Sequence, residues 1–175
     1  MMKYKLLNAM GSLIAGFLLC LLLTSTVYSQ QTEKEAMAKL SFLIGDWQGE
    51  GKQYQDDGSI KKYQVRERVD YELSGGILVI RVNADILQLH TVVYYDVNEA
   101  QYYYSRYTKE GGKKYPGKFE DGKFKVWFSD SRRLTFEQTE RGYFHEYGEK
   151  LVDGAWVMYF EDTLSPVYPS LPKGK

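Results

Sequence analysis

Cysteine and histidine are scarce in this sequence, and it carries no surplus of charge. Of its 175 residues one is cysteine and two are histidine, and 23 basic residues balance 23 acidic ones. Cys20 lies in an apolar head, so the chain after Ser29 has neither a disulfide nor a thiol nucleophile and must be held by packing and hydrogen bonds. Without a basic excess there is no electrostatic grip on nucleic acid or an anionic membrane. With only His90 and His145, no histidine-rich metal centre can form, and Asp56, Asp57 and Asp130 sit in turn sequences without an EF-hand pattern, so no metal site is expected. Gly75-Gly76 and Gly111-Gly112 lack the spacing and strand-to-helix context of a phosphate loop. No cofactor is expected. Ser105, Ser129 and Ser131 occupy no nucleophile elbow, so a non-enzyme is expected; a small hydrolase-like enzyme, the alternative, would have to pair His145 with Glu67 across an open cavity.

The head has the layout of a secretory leader. Lys3 and Lys5 precede a mostly apolar stretch from Leu6 to Leu23, and Val27-Tyr28-Ser29 places small residues before the polar run Gln30-Gln31-Thr32-Glu33. A cleaved signal peptide over residues 1–29 is expected, followed by one domain over 30–175, secreted or periplasmic. That domain has 146 residues, with 21 basic against 23 acidic side chains. If uncleaved, the apolar run approaches the length of a membrane anchor. Phe17-Leu18-Leu19 before Cys20 does not fit a lipoprotein signal.

From Glu33 to Ile44 the apolar residues Ala36, Met37, Leu40, Leu43 and Ile44 recur at helical spacing, with Thr32 and Glu35 placed as a capping box. Beyond Gly45 nine turn sequences delimit ten strands, from Asp56-Asp57-Gly58-Ser59 to Asp153-Gly154, and nothing between them can hold a crossover helix. The pattern predicts an all-β, ten-stranded antiparallel up-and-down barrel, closed to remove its edges and capped at one end by the helix. A twisted sandwich is the rival. Apolar stripes run through Leu87, Leu89, Thr91, Val93 and Tyr95, through Phe124, Val126 and Phe128, and through Trp156, Met158 and Phe160.

The segment Leu40-Ser41-Phe42-Leu43-Ile44-Gly45-Asp46-Trp47-Gln48-Gly49-Glu50-Gly51 runs from a short helix through Gly45-x-Trp47-x-Gly49-x-Gly51 into a first strand. It resembles lipocalin-like, calycin-type barrels, particularly the bacterial DUF1579-like proteins and, more distantly, the haem-binding nitrobindin-like barrels. The likeness extends loosely to Glu161, through Tyr94-Tyr95-Asp96, Phe119-Glu120-Asp121-Gly122-Lys123-Phe124 and Asp153-Gly154-Ala155-Trp156. It implies structural roles for Gly45, Trp47, Gly49 and Gly51: a sharp turn, a ring plugging the closed end, and room for the strand to bend. The nitrobindin-like barrels look to a histidine in the closing strands as haem ligand. Here the last strand has none, and His145 lies one strand earlier.

Glu67 interrupts the stripe Tyr63, Val65, Glu67, Val69, Tyr71, Leu73, and an inward carboxylate is costly unless paired. Arg81, which shares parity with Ile77 and Val79, Arg106 and Arg133 are its expected partners, and the two readings are a salt bridge fixing the register or an anchor for a polar ligand. The candidate ligand residues are therefore Glu67, Arg81, Arg106, Arg133 and His145 with the apolar Phe128 and Met158. Two functions compete. One is a binder of a small apolar or amphipathic ligand; the other is a filled barrel serving as a scaffold or protein-interaction domain, with Tyr94-Tyr95 and Tyr102-Tyr103-Tyr104 as an aromatic surface.

Overall fold

The computed structural model describes residues 31–167; the expected leader over 1–29, with Cys20, lies outside them. Ten antiparallel strands form one closed barrel in which each strand pairs with its sequence neighbours and β1 (Gly45–Tyr54) also pairs with β10 (Ala155–Pro166). Between them run β2 (Ile60–Glu72), β3 (Ile77–Ala84), β4 (Leu87–Asp96), β5 (Gln101–Thr108), β6 (Gly111–Glu120), β7 (Lys123–Ser129), β8 (Arg132–Gln138) and β9 (Phe144–Val152). The meander and its nine connections are those the turn sequences imply, and closure leaves no unpaired edge.

The helical pattern from Glu33 to Ile44 divides in two. Helix α1 (Glu33–Ala38) begins on the Thr32–Glu35 capping box, and a separate 3₁₀ turn covers Ser41–Leu43. The break lets both segments follow the barrel's end: Ala36, Met37, Leu40 and Leu43 are all fully buried. Carbonyls that α1 leaves at its C-terminal end are met from the sheet. Tyr102 donates to the Ala36 carbonyl at 2.7 Å and Tyr71 to that of Met37 at 2.6 Å. Trp47 donates from Nε1 to the Leu43 carbonyl at 2.9 Å and stacks on Phe144 at 5.7 Å between centroids. Phe124, Phe136 and Phe144 complete this closed end, each without exposure.

Registers fix which side chains point inward. Val65 faces Ala84, Glu67 faces Val82 and Val69 faces Ile80, so the inward set of β3 is Leu78, Ile80, Val82 and Ala84. Ile77, Val79 and Arg81 point outward, reversing the expected parity. The run Ile77-Leu78-Val79-Ile80 is apolar at every position and hides its own phase, and the turn before it, with Leu73 and Ser74 at positive φ, resets the alternation. A second correction falls in β10. A bulge between Met158 and Phe160 places Met158 opposite Glu149 on the outer face, while Phe160 lies inward opposite Gly148.

The outer surface is laced with ion pairs, among them Arg66 with Asp46 at 2.7 Å and Lys118 with Glu120 at 2.6 Å. No helix of the described residues is long and apolar enough to cross a membrane.

Candidate functional site

Away from the helix the barrel interior opens into a cavity of about 250 Å³. Its walls are apolar, with Val82, Leu89, Phe128, Leu134 and Phe160 among them, and Arg106 and Arg132 project at its mouth. Deeper, Glu146 and Asp162 line the cavity beside Tyr63. Glu67 lies behind them with 0% exposure, and one carboxylate oxygen from each of Glu67, Glu146 and Asp162 lies within 4.8 Å of the others.

This acidic group is assembled from three strands by simple alternation. Glu67 shares parity with Val65 and Val69 on β2, Glu146 with Phe144 and Gly148 on β9, and Asp162 with Phe160 and Leu164 on β10. Asp162 pairs with Glu146 and lies beside Gly51 across the β1–β10 ladder. A Cβ on Gly51 would collide with both the Asp162 carboxylate and the Tyr63 ring, and one on Gly148 would collide with the Phe160 ring. The two glycines thus clear the space in which the polar group and its aromatic cover sit. A Cβ on Gly49 would collide with the backbone carbonyl of Thr163, and one on Gly45 would lie 2.9 Å from the Trp47 ring.

The three acids are not equivalent. Asp162 accepts a hydrogen bond from the Tyr63 hydroxyl at 2.5 Å. Burial raises its pKa, and the Tyr63 donor and the charge of His145 oppose the rise. Neither oxygen of Glu67 has a hydrogen-bond partner among the described residues, and burial, reinforced by the charge of Asp162, pushes its carboxyl well above the ordinary range. Glu146 is raised by burial and then by Glu67 and Asp162, with Arg106 pulling the other way. Burial first, and then donation to Asp162, keep the Tyr63 phenol protonated.

Of the residues expected in the site, Glu67, Arg106 and Phe128 face the interior, and the other four do not. Arg81 binds Asp70 at 3.1 Å and Glu72 at 2.6 Å on the outer face. Arg133 binds Glu149 at 2.6 Å and covers the Trp156 ring at 4.2 Å, also outside. His145 lies on the outer face between Glu137, 2.9 Å from Nδ1, and Glu161, 3.5 Å from Nε2. It is therefore separated from Glu67 by the barrel wall, which removes both the His145–Glu67 pairing and an inward haem ligand at that position. Met158 follows the bulge outward. The expected salt bridge to Glu67 is absent among the described residues: Arg106, the one inward arginine of the three, forms no ion pair within 4 Å, and its Nε is buried without a hydrogen-bond partner.

The tyrosine run divides by the same alternation. Tyr102 and Tyr104 are buried in the core, while Tyr103 stays outside against Tyr94 at 5.4 Å and under Lys114 at 3.9 Å. The sequence pattern put Tyr63 on the inward stripe without a polar role, and it did not single out Glu146, Asp162 or Arg132. The signal was present for the two acids, each flanked two residues away by inward apolar side chains or glycine. No protein-family model matches the chain, and no curated protein matches it in sequence.

Proposed function

We propose that the chain is an exported, non-enzymatic binding protein that holds a small amphipathic molecule in the barrel, its apolar part against Val82, Leu89, Phe128 and Leu134 and its anionic end at Arg106. The observation that carries this reading is Arg106 itself. The guanidinium faces the cavity with its Nε buried and without a hydrogen-bond partner among the described residues, a cost that a ligand accepting from it would relieve. Arg132 stands at the same mouth, its guanidinium 4.7 Å from the Tyr159 ring, and adds positive charge where an anionic group would enter.

A cavity of about 250 Å³ falls below the usual range for drug-sized ligands and favours a small occupant over a porphyrin. The charged outer face and apolar interior invert the pattern of a lipid-facing barrel and support a protein that works in water. Lys3, Lys5 and the apolar run to Leu23 support export. The Gly45-x-Trp47-x-Gly49-x-Gly51 segment supports kinship with lipocalin-like barrels.

Calorimetry and thermal shift with straight-chain carboxylates of about four to eight carbons, beside matched alcohols and amines, test the reading. Carboxylates should bind best, and Arg106→Gln should weaken them about ten- to a hundredfold while leaving the alcohols little changed. Binding by no member of the set, or equal binding to parent and Arg106→Gln, would overturn it.

A further inference from the structure

We propose that Glu67, Glu146 and Asp162 form a site for a single hard divalent cation of the calcium class at the floor of the cavity. Three buried carboxylates converge there from β2, β9 and β10, and their oxygens are spaced within 4.8 Å. Oxygens bound to one calcium ion at about 2.4 Å lie no more than about 4.8 Å apart, and the three carboxylates are gathered within that limit. An independent observation is the state of Glu67. It is completely buried, yet both of its oxygens lack a hydrogen-bond partner among the described residues. Acids that share protons in a dry interior do so through short hydrogen bonds from one carboxyl to the next, and Glu67 makes none.

Three ionised carboxylates in one buried group need compensating positive charge, which a divalent ion bound among them supplies. The donor set is all oxygen, which selects calcium or manganese over softer metals. Magnesium, which gives up its water reluctantly and demands tight octahedral geometry, fits three direct carboxylate ligands less well. Tyr63, by donating to Asp162 Oδ1, leaves the other Asp162 oxygen to the ion and fixes the carboxylate's orientation, as an outer-shell partner does. Glu146 and Asp162 line the cavity while Glu67 closes the far side, so the ion has a path in from the mouth and room there for water ligands.

The test uses the metal alone, with no organic ligand, so that it stands or falls apart from the amphiphile reading. The purified chain, freed of metal with chelator, is titrated with Ca²⁺ by calorimetry and thermal shift, and Mn²⁺ serves as a paramagnetic probe that Ca²⁺ displaces. One ion should bind per chain and raise the melting temperature saturably by roughly 3 to 8 °C. Glu67→Gln and Asp162→Asn, each nearly isosteric, should abolish the rise and the Mn²⁺ signal while keeping the parent's circular dichroism; two variants are used so that misfolding of one leaves the other to decide. Absence of Ca²⁺ and Mn²⁺ binding in the parent, or binding that survives in a folded variant, overturns the proposal.

Discussion

The Tyr63 hydroxyl lies 2.5 Å from Asp162 Oδ1, and the two side chains meet over the bare backbone of Gly51. One residue without a side chain thus makes room for a hydrogen bond between strands β2 and β10, which β1 separates. Gly51→Ala puts a methyl group where both partners lie. The variant should lose about 1 to 3 kcal/mol of stability as the pair is forced apart. Urea unfolding measures the loss, and an unchanged midpoint would mean that the ring and carboxylate move aside freely.

Trp47 ties the first strand to the 3₁₀ turn through its Nε1 and to β9 through Phe144, and only 5% of it is exposed. Trp47→Ala should cost roughly 3 to 5 kcal/mol. A loss under about 1 kcal/mol in chemical denaturation would contradict its place as the plug of the closed end.

In metal-free protein the acidic group should make stability fall as pH rises. Burial, and after it the neighbouring acids, raise the Glu67 and Glu146 carboxyls above the 4.5 of a free glutamate, so both favour the folded state while protonated. That contribution is complete below the unfolded value and is lost as pH climbs through the raised folded values, by up to about 1.4 kcal/mol per pH unit for each proton released. Asp162 acts directly on both and Arg106 on Glu146, while Tyr63 and, through the wall, His145 with Glu161 act on Asp162. Denaturation midpoints in chelator from mildly acidic to alkaline pH should decline, and Glu67→Gln should flatten the curve. A parent curve that climbs toward alkaline pH would refute this assignment.

Arg81 and Arg106, both expected to pair with Glu67, lie on opposite faces of the barrel wall and give a contrast. Arg81→Gln removes ion pairs to Asp70 and Glu72 in which the arginine side chain is 38% exposed, and should cost at most about 1 kcal/mol with no effect on ligand binding. Arg106→Gln should act on ligand binding. A parallel titration of both variants checks the face assignment, and equal effects would contradict it.

The barrel was legible because its turns are spelled out in Gly, Asp, Asn and Ser, and because stripes such as Phe124, Val126, Phe128 alternate cleanly. Faces failed where alternation carries no phase. Ile77 to Ile80 is uniformly apolar, and the bulge at β10 adds one residue that no composition signal announces, which sent Arg81 and Met158 to the wrong side. His145 and Arg133 have no such excuse: each alternates with inward neighbours, Phe144 and Glu146 in one case, Leu134 and Phe136 in the other. Glu67 was recognised as inward from its neighbours, but its surroundings were not, because Glu146 and Asp162 lie 79 and 95 positions further along the chain and meet it only when the barrel closes.

The central claim is that the barrel interior is an open binding cavity whose polar contact is Arg106. Nuclear magnetic resonance of the protein, observing the Arg106 Nε–H and the methyl groups of Val82, Leu89, Leu134, Leu40 and Leu43 during titration with a short-chain carboxylate, tests it most directly. The Nε resonance and the cavity methyls of Val82, Leu89 and Leu134 should shift together and saturate at one ligand per chain, while Leu40 and Leu43 at the closed end stay still. Shifts confined to outer-face residues such as Arg81 or Tyr103, or an Arg106 signal that does not respond at saturation, would contradict it.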